Sequence, residues 1–282
     1  MIFLMPVYLA SYNHFKSRYE SLIINDDTFA LENLKKRVNP FILRRTKKDV
    51  LSDLPDKIEE YYYYKMDKKQ REVYTSYVEE LRNDLKSNGN NILALLTRLR
   101  QICITPELIT QEHYDNTKIN MALDVVKSSI EAGHRILLFS QFSQSFSILS
   151  KELDELGIRH FILDGTTKAK TRIEMVDEFN SNSEIKVFLI SLKAGGTGLN
   201  LVGADMVIHL DPWWNQSAEL QASDRAYRIG QTKNVYVLRL ICKDTIEEKV
   251  IELQKIKSDL AESIVSQDVG KLSKQDILDL LD

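Results

Sequence analysis

From about residue 116 onward, short apolar runs alternate with amphipathic segments, and this change of hydrophobic period constrains the fold more than any other feature of the chain. Residues 136–140, 159–163, 186–191, 206–210 and 235–241 are of strand length and apolar. Between them, Phe142, Phe146, Leu149, Leu153 and Leu156 line one helical face that Gly157 stops, and Ile173, Val176 and Phe179 line the next. Apolar strands joined by helical crossovers predict an α/β fold, a parallel sheet covered by helices. In such sheets the loops leaving the carboxyl ends of the strands carry the chemistry, here those beginning at Ser140, Asp164, Ser191 and Asp211.

The preceding region reads mainly helical. Asp67 and Gln70 make a capping-box-like start, and Val73, Tyr77, Leu81 and Leu85 recur every four residues. Residues 87–91 break this helix, and Ile92, Leu95, Leu96, Leu99 and Ile102 define a second one that Pro106 ends. Only residues 58–66, with four consecutive tyrosines, look extended. The expected division is a helical subdomain over 1–115, a sheet lobe over 116–265 and a tail over 266–282. The apolar opening MIFLMPVYLA has neither a basic flank nor a small-residue cleavage site, and no apolar run approaches the ~20 residues of a membrane span. It reads as buried protein, and such a start is expected of a chain cut from something longer.

Lys and Arg total 38 against 41 Asp and Glu, so the net charge of -3 does not favour a polyanion globally and any nucleic-acid contact must be local. Residues 35–48, KKRVNPFILRRTKK, hold seven cations and no acid; they are either such a patch or a solvated face beside a buried FIL. Cys103 and Cys242 are far apart and form no CxxC, which disfavours a zinc knuckle or disulfide framework and fits a reducing compartment. None of the five histidines has metal-ligand spacing, so no metal site is assigned to the chain itself.

The stretch QASDRAYRIGQ, 221–231, carries the most chemical information. On a helix that Gly230 terminates, Gln221, Asp224, Arg225 and Arg228 would share one face. Two planar, permanently charged guanidinium groups on one face suit a phosphoryl group gaining negative charge in a transition state. The alternative is a surface helix on which Asp224 pairs an arginine.

DRAYRIGQTK resembles motif VI of the Swi/Snf ATPases, a branch of helicase superfamily II, and other blocks follow in family order. ILLFSQFSQSFSIL resembles motif IV, LDGTTKAKTRIEMVDEFN the following DGxT block, VFLISLKAGGTGLNL motif V, and HLDPWWNQSAELQASDRA the approach to motif VI. PFILRRTKKDVLSDLPDK, further upstream, resembles the family's helical insertion before its second lobe. Tyr227 stands where many relatives carry His, a change expected to alter packing more than chemistry. The glycines of KAGGTGLN do not form GxGxxG and no helix follows, which disfavours a Rossmann-type cofactor enzyme.

The resemblance implies a RecA-like C-terminal lobe preceded by a helical insertion. It implies Arg225 and Arg228 as arginine fingers, with Gln221, Asp224, Gly196 and Gly198 supporting an ATP site. It also implies a groove of Ser140, Gln141, Arg172, Ser191, Lys193, Thr197 and Trp214 along one DNA strand, with Trp213 less secure and more simply a core residue. Backbone contacts of this kind position the protein without specifying sequence, and they weaken steeply with salt. No P-loop GxxxxGK[ST] and no DExH-like acid pair occurs in the chain, so ATP and Mg would be held mainly by a first motor lobe expected to precede residue 1. The implied function is the second lobe of a double-stranded DNA translocase, inactive as an ATPase alone; a DNA-bound protein is a further expected partner, and no membrane is. A strand-separating superfamily II helicase lobe is the alternative. The expected location is cytoplasmic and nucleoid-associated in a prokaryote, or nuclear in a eukaryote.

Overall fold

Alternate residues of a single strand feed two different cores. In β2 (Ile136–Ser140), Ile136 and Leu138 join one buried cluster while Leu137 and Phe139 join the other, and β4 (Val187–Ser191) divides Val187 and Leu189 from Phe188 and Ile190 in the same way. A strand buried on both faces needs apolar residues throughout, which is why these runs are continuous rather than alternating. The computed structural model describes residues 8–24, 27–41, 54–87, 92–110, 112–192, 194 and 198–263. Two compact units divide the chain, residues 1–52 with 257–267 and residues 53–256 with 268–282.

In the larger unit, β1 (Lys57–Tyr64), β2, β3 (His160–Leu163), β4, β5 (Met206–His209) and β6 (Val235–Cys242) form one sheet in the order β1-β6-β5-β2-β4-β3, with every neighbouring pair parallel. The expected α/β parallel sheet is therefore present, with the ends of β2 to β6 within a residue of expectation. On one face α6 (Thr117–Glu131) contributes Ile119, Ala122, Leu123 and Val126, and α7 (Ser145–Glu155) contributes Phe146, Leu149 and Leu153. On the other, α8 (Ala169–Ser181) contributes Val176 and Phe179, and α9 (Gln216–Ser223) contributes Ala222. Each such large apolar side chain stabilises the fold by about 1.5–3 kcal/mol on full burial. Gly157, at φ +67°, ends α7 as the sequence predicts.

A third core lies between the helices α4 (Lys68–Lys86) and α5 (Ile92–Ile104), where Tyr74, Leu81, Leu85, Leu95, Leu99 and Cys103 meet Tyr64 and Cys242 at the ends of β1 and β6, together with Ile246 and Val250 of α10 (Ile246–Ser263). Asp67 caps α4 as expected, accepting from the Gln70 amide at 3.0 Å, but the box is only half formed, since the Gln70 side chain turns inward and donates to the Ile102 carbonyl at 2.7 Å.

The two units divide at residues 52–53, within the helical subdomain expected over 1–115. Residues 57–64 pair in register with β6 from Lys57↔Val235 to Tyr64↔Cys242, so the tyrosine-rich strand belongs to the sheet and residues 53–256 are one unit. Local sequence contains no record of that pairing, because the partner strand lies far along the chain.

The smaller unit places α1 (Tyr12–Phe15), α2 (Ser21–Ile24) and α3 (Thr28–Val38) around Leu9, Tyr19 and Leu34. Asp27 caps α3 by accepting from the Phe29 and Ala30 amides, and Lys35, Lys36 and Arg37 occupy its last turn, where cations favour the helix dipole. The rest of the expected basic patch, residues 42–48, lies outside the described residues.

Candidate functional site

The arginine-bearing segment departs from the helix expected of it. The helix α9 ends at Ser223, and residues 224–230 continue as a series of turns, with Gly230 at φ +101°. Tertiary hydrogen bonds stop the helix: the Arg225 carbonyl accepts from the Leu201 amide at 3.1 Å, and the Ala226 carbonyl accepts from the Gln231 side chain at 3.2 Å. A continuing helix would have used both carbonyls for its own next turn. Arg225 and Arg228 therefore do not share a helical face. Arg225 is 5% exposed, whereas Arg228 and Ile229 point to solvent.

This arrangement is electrostatically incomplete. The Arg225 Nε is buried without a hydrogen-bond partner among the described residues. Burial, and after it the proximity of Arg228, lower the Arg225 pKa below the usual arginine range, with Asp224 opposing the shift. An anion reaching both guanidinium groups would relieve their repulsion and supply the missing acceptor. Gln221 and Asp224 line an open depression with Asn215, Ser217, Ala218 and Leu220. Gly198 is exposed, with free space where a side chain would stand; Lys193, Gly196 and Thr197 lie outside the described residues.

The loops at the carboxyl ends of the strands are knitted to one another. Ser140 and Asp211 are both fully buried; the Ser140 hydroxyl donates to Asp211 at 2.6 Å and itself accepts from the Phe142 amide. Asp211 also accepts from the Gln141 amide at 3.1 Å and pairs with Arg100 of α5 at 3.4 Å. Arg100 in turn donates to the Pro212 carbonyl and lies against the rings of Phe142 and Trp214, at 5.3 and 5.7 Å. In the next loop, Asp164 accepts from the hydroxyl and amide of Thr166, bonds that hold its carboxyl below the usual range. Arg172 spends its guanidinium on the carbonyls of Thr167, Asp164 and Ala194.

Several of the residues expected along a DNA strand are committed within the fold. Ser140 and Ser191 are buried, the latter accepting from the Ala194 amide; Arg172 is half-buried and occupied by backbone; and Trp214 packs against the third core, with Arg100 over its ring. The side chain of Gln141 is half-buried, with a buried Oε1 that has no partner among the described residues. A loop that presents its backbone must first satisfy its own polar side chains, and these residues do that work.

Two features escaped the sequence reading. Arg100 sits in an otherwise apolar helical stripe, and nothing local couples it to Asp211. His209 is buried beneath α9, stacks on Phe139 at 5.7 Å between ring centroids, and shares a 2.9 Å hydrogen bond between its Nε2 and the Ser223 hydroxyl.

Comparison with known proteins places these elements in context. The SNF2-related domain matches residues 1–108 and the helicase conserved C-terminal domain residues 117–230. An uncharacterized ATP-dependent helicase of Mycoplasma genitalium is 38% identical over 99% of the chain, which spans 28% of that relative's length. The C-terminal domain of the Sulfolobus solfataricus SWI2/SNF2 ATPase is 30% identical, covering 76% of this chain and 91% of its own, with a TM-score of 0.63. The ATPase core of the same archaeon, solved in complex with double-stranded DNA, is 36% identical over 94% of this chain and 58% of its own, with a TM-score of 0.65.

Proposed function

The chain belongs to the SNF2 family, and from that membership we propose that it acts as the second motor lobe of an ATP-dependent translocase on double-stranded DNA. Its contribution is a pair of arginines for an ATP site whose P-loop and acid pair lie on another lobe. The observation that carries this reading is the juxtaposition of a buried arginine whose Nε has no partner among the described residues, Arg225, and an exposed one, Arg228, on a turn held by its backbone. Such a pair suits the equatorial oxygens of a phosphoryl group in transit.

ATP and Mg fit this chain only in part. Arg225 and Arg228 would contact the terminal phosphate, and bound Mg would supply charge neutralisation between the phosphates. Arg228, exposed at the surface, would be the first of the pair within reach of a terminal phosphate, whose oxygen would supply the acceptor that the Arg225 Nε lacks among the described residues. Lobe closure would thereby gain stability from phosphate charge, and reopening would follow its loss. The DNA groove rests on backbone groups of the carboxyl-end loops, on Gln141 and Gly198, and on Lys193 and Thr197. Contacts of that kind are sequence-blind, as a translocase requires. The chain alone is inactive as an ATPase. A relative from Sulfolobus solfataricus whose core was solved with double-stranded DNA supports the choice of partner.

The test is DNA-stimulated ATP turnover by this chain mixed with a separately expressed P-loop lobe, comparing wild type with Arg225→Ala and Arg228→Ala. Turnover that needs both pieces and collapses with either substitution is the expected result. Turnover by the pure chain, or full activity in both variants, overturns the proposal.

A further inference from the structure

We propose that Gln231 is a positioning residue for the arginine pair, acting through the turn that carries it. The inference rests on the finger-donating role just proposed and adds the device that sets the geometry. Gln231 is 7% exposed, and its carboxamide joins three chain segments. Its Nε2 donates to the carbonyls of Val202 at 3.2 Å, Ala204 at 2.8 Å and Ala226 at 3.2 Å. Its Oε1 accepts from the amides of Thr232 at 3.0 Å and Lys233 at 2.9 Å. An amide nitrogen has two hydrogens, so three acceptors imply that one is shared, and both ends of the group are fully used.

The location of this clasp gives it consequence. Ala226 directly follows Arg225, whose own carbonyl is held by the Leu201 amide, and the Gln231 backbone amide ties down the other end of the turn by donating to the Arg228 carbonyl at 2.9 Å. The turn from 225 to 231 is thus fixed to residues 201–204, the segment leading into β5. Among the described residues the Nε of Arg225 has no hydrogen-bond partner. Arg225 is carried on this turn, and Gln231, together with the Leu201 amide, ties the turn down. No other side-chain type supplies two donors and an acceptor on a stem of this length without charge.

Gln231→Glu keeps size and the acceptor facing Thr232 and Lys233 but removes the donors. In the chain itself, the Arg225 Nε–H signal in a proton–nitrogen correlation spectrum, identified by its disappearance in Arg225→Lys, is expected to shift while the rest of the spectrum stays folded. In the mixed-lobe assay, turnover is expected to fall about 10- to 100-fold, the scale of a small misplacement of a catalytic group, with little change in the KM for ATP. In an Arg225→Ala background the same substitution is expected to cost little more. An unmoved Arg225 signal in folded Gln231→Glu, or a loss that adds in full to that of Arg225→Ala, overturns the inference. A harmless Arg225→Ala instead overturns the finger role and identifies that as the failed premise. The spectrum alone decides if the mixed lobes give no turnover, and Gln231→Asn, whose shorter stem cannot span the same carbonyls, replaces Gln231→Glu if that variant does not fold.

Discussion

Lys118 and Glu247, 129 residues apart, form an ion pair with no solvent exposure on either side chain: Nζ donates to both carboxylate oxygens at 2.6 and 2.8 Å. Glu247 also accepts from the Cys242 amide at 2.8 Å, so one carboxylate ties the start of α6, the end of β6 and the first turn of α10. Burial raises the Glu247 pKa, and Lys118 works against that. Breaking a buried pair leaves an uncompensated charge, so Glu247→Gln is expected to cost about 3–5 kcal/mol of unfolding free energy. Urea denaturation checks this, and the double variant Lys118→Met/Glu247→Leu should recover most of the loss. A loss under about 1 kcal/mol for the single variant would place the pair among weak surface-like bridges.

The two arginines should separate by stability and coincide in activity. Arg228→Ala removes an exposed side chain and is expected to leave the unfolding midpoint within about 0.5 kcal/mol of wild type. Arg225→Ala removes a buried one. Both should depress mixed-lobe ATP turnover by about 10³-fold or more. Thermal melts alongside the turnover assay show whether any loss of rate is merely a loss of fold.

Arg100 connects α5 to the loop that follows β5 through Asp211, Pro212 and the Trp214 ring. Arg100→Met leaves fully buried Asp211 without a cation, at an expected cost of about 3–5 kcal/mol. It also strips a cation from one of only two tryptophans, so the emission of Trp214 should move toward longer wavelength as the loop loosens. Adding Asp211→Asn should restore part of the stability and none of the emission.

His209 predicts a pH dependence. Burial, and then the charges of Arg239 and Lys57, hold its pKa well below the ordinary 6.5, and its Nδ1 is buried without a partner among the described residues. A depressed histidine means that the unfolded chain binds the proton more readily. Its contribution is therefore complete above pH 6.5 and is lost as pH falls below that value, by up to about 1.4 kcal/mol per pH unit. Urea midpoints at successive pH values should show this slope in wild type and a shallower one in His209→Phe, which keeps an aromatic ring against Phe139. Parallel slopes would place the pH dependence in other groups.

The fold was legible because its signal is local. The strands β2 to β6 each announce themselves as apolar runs of strand length, and Gly157 stops α7 where the periodicity says it should. The family was legible for a related reason: the blocks around motifs IV to VI keep their order and residue types along the chain. Even β1 was visible as an extended segment, though not as a member of the sheet.

What the sequence could not decide is where long-range hydrogen bonds override local preference. The periodicity over 221–231 permits a helix, and an isolated peptide would have no reason to break it at Ser223. The break is made by Leu201 and Gln231 capturing the carbonyls of Arg225 and Ala226, and it turns a shared face into one buried and one exposed arginine. Ser140, Ser191 and Arg172 have the chemistry of DNA contacts, but Asp211 and the backbone of Ala194 lie close enough to claim their polar groups first. Residue types set what the site can do; burial and partners brought together by the folded sheet set which atoms remain available to do it.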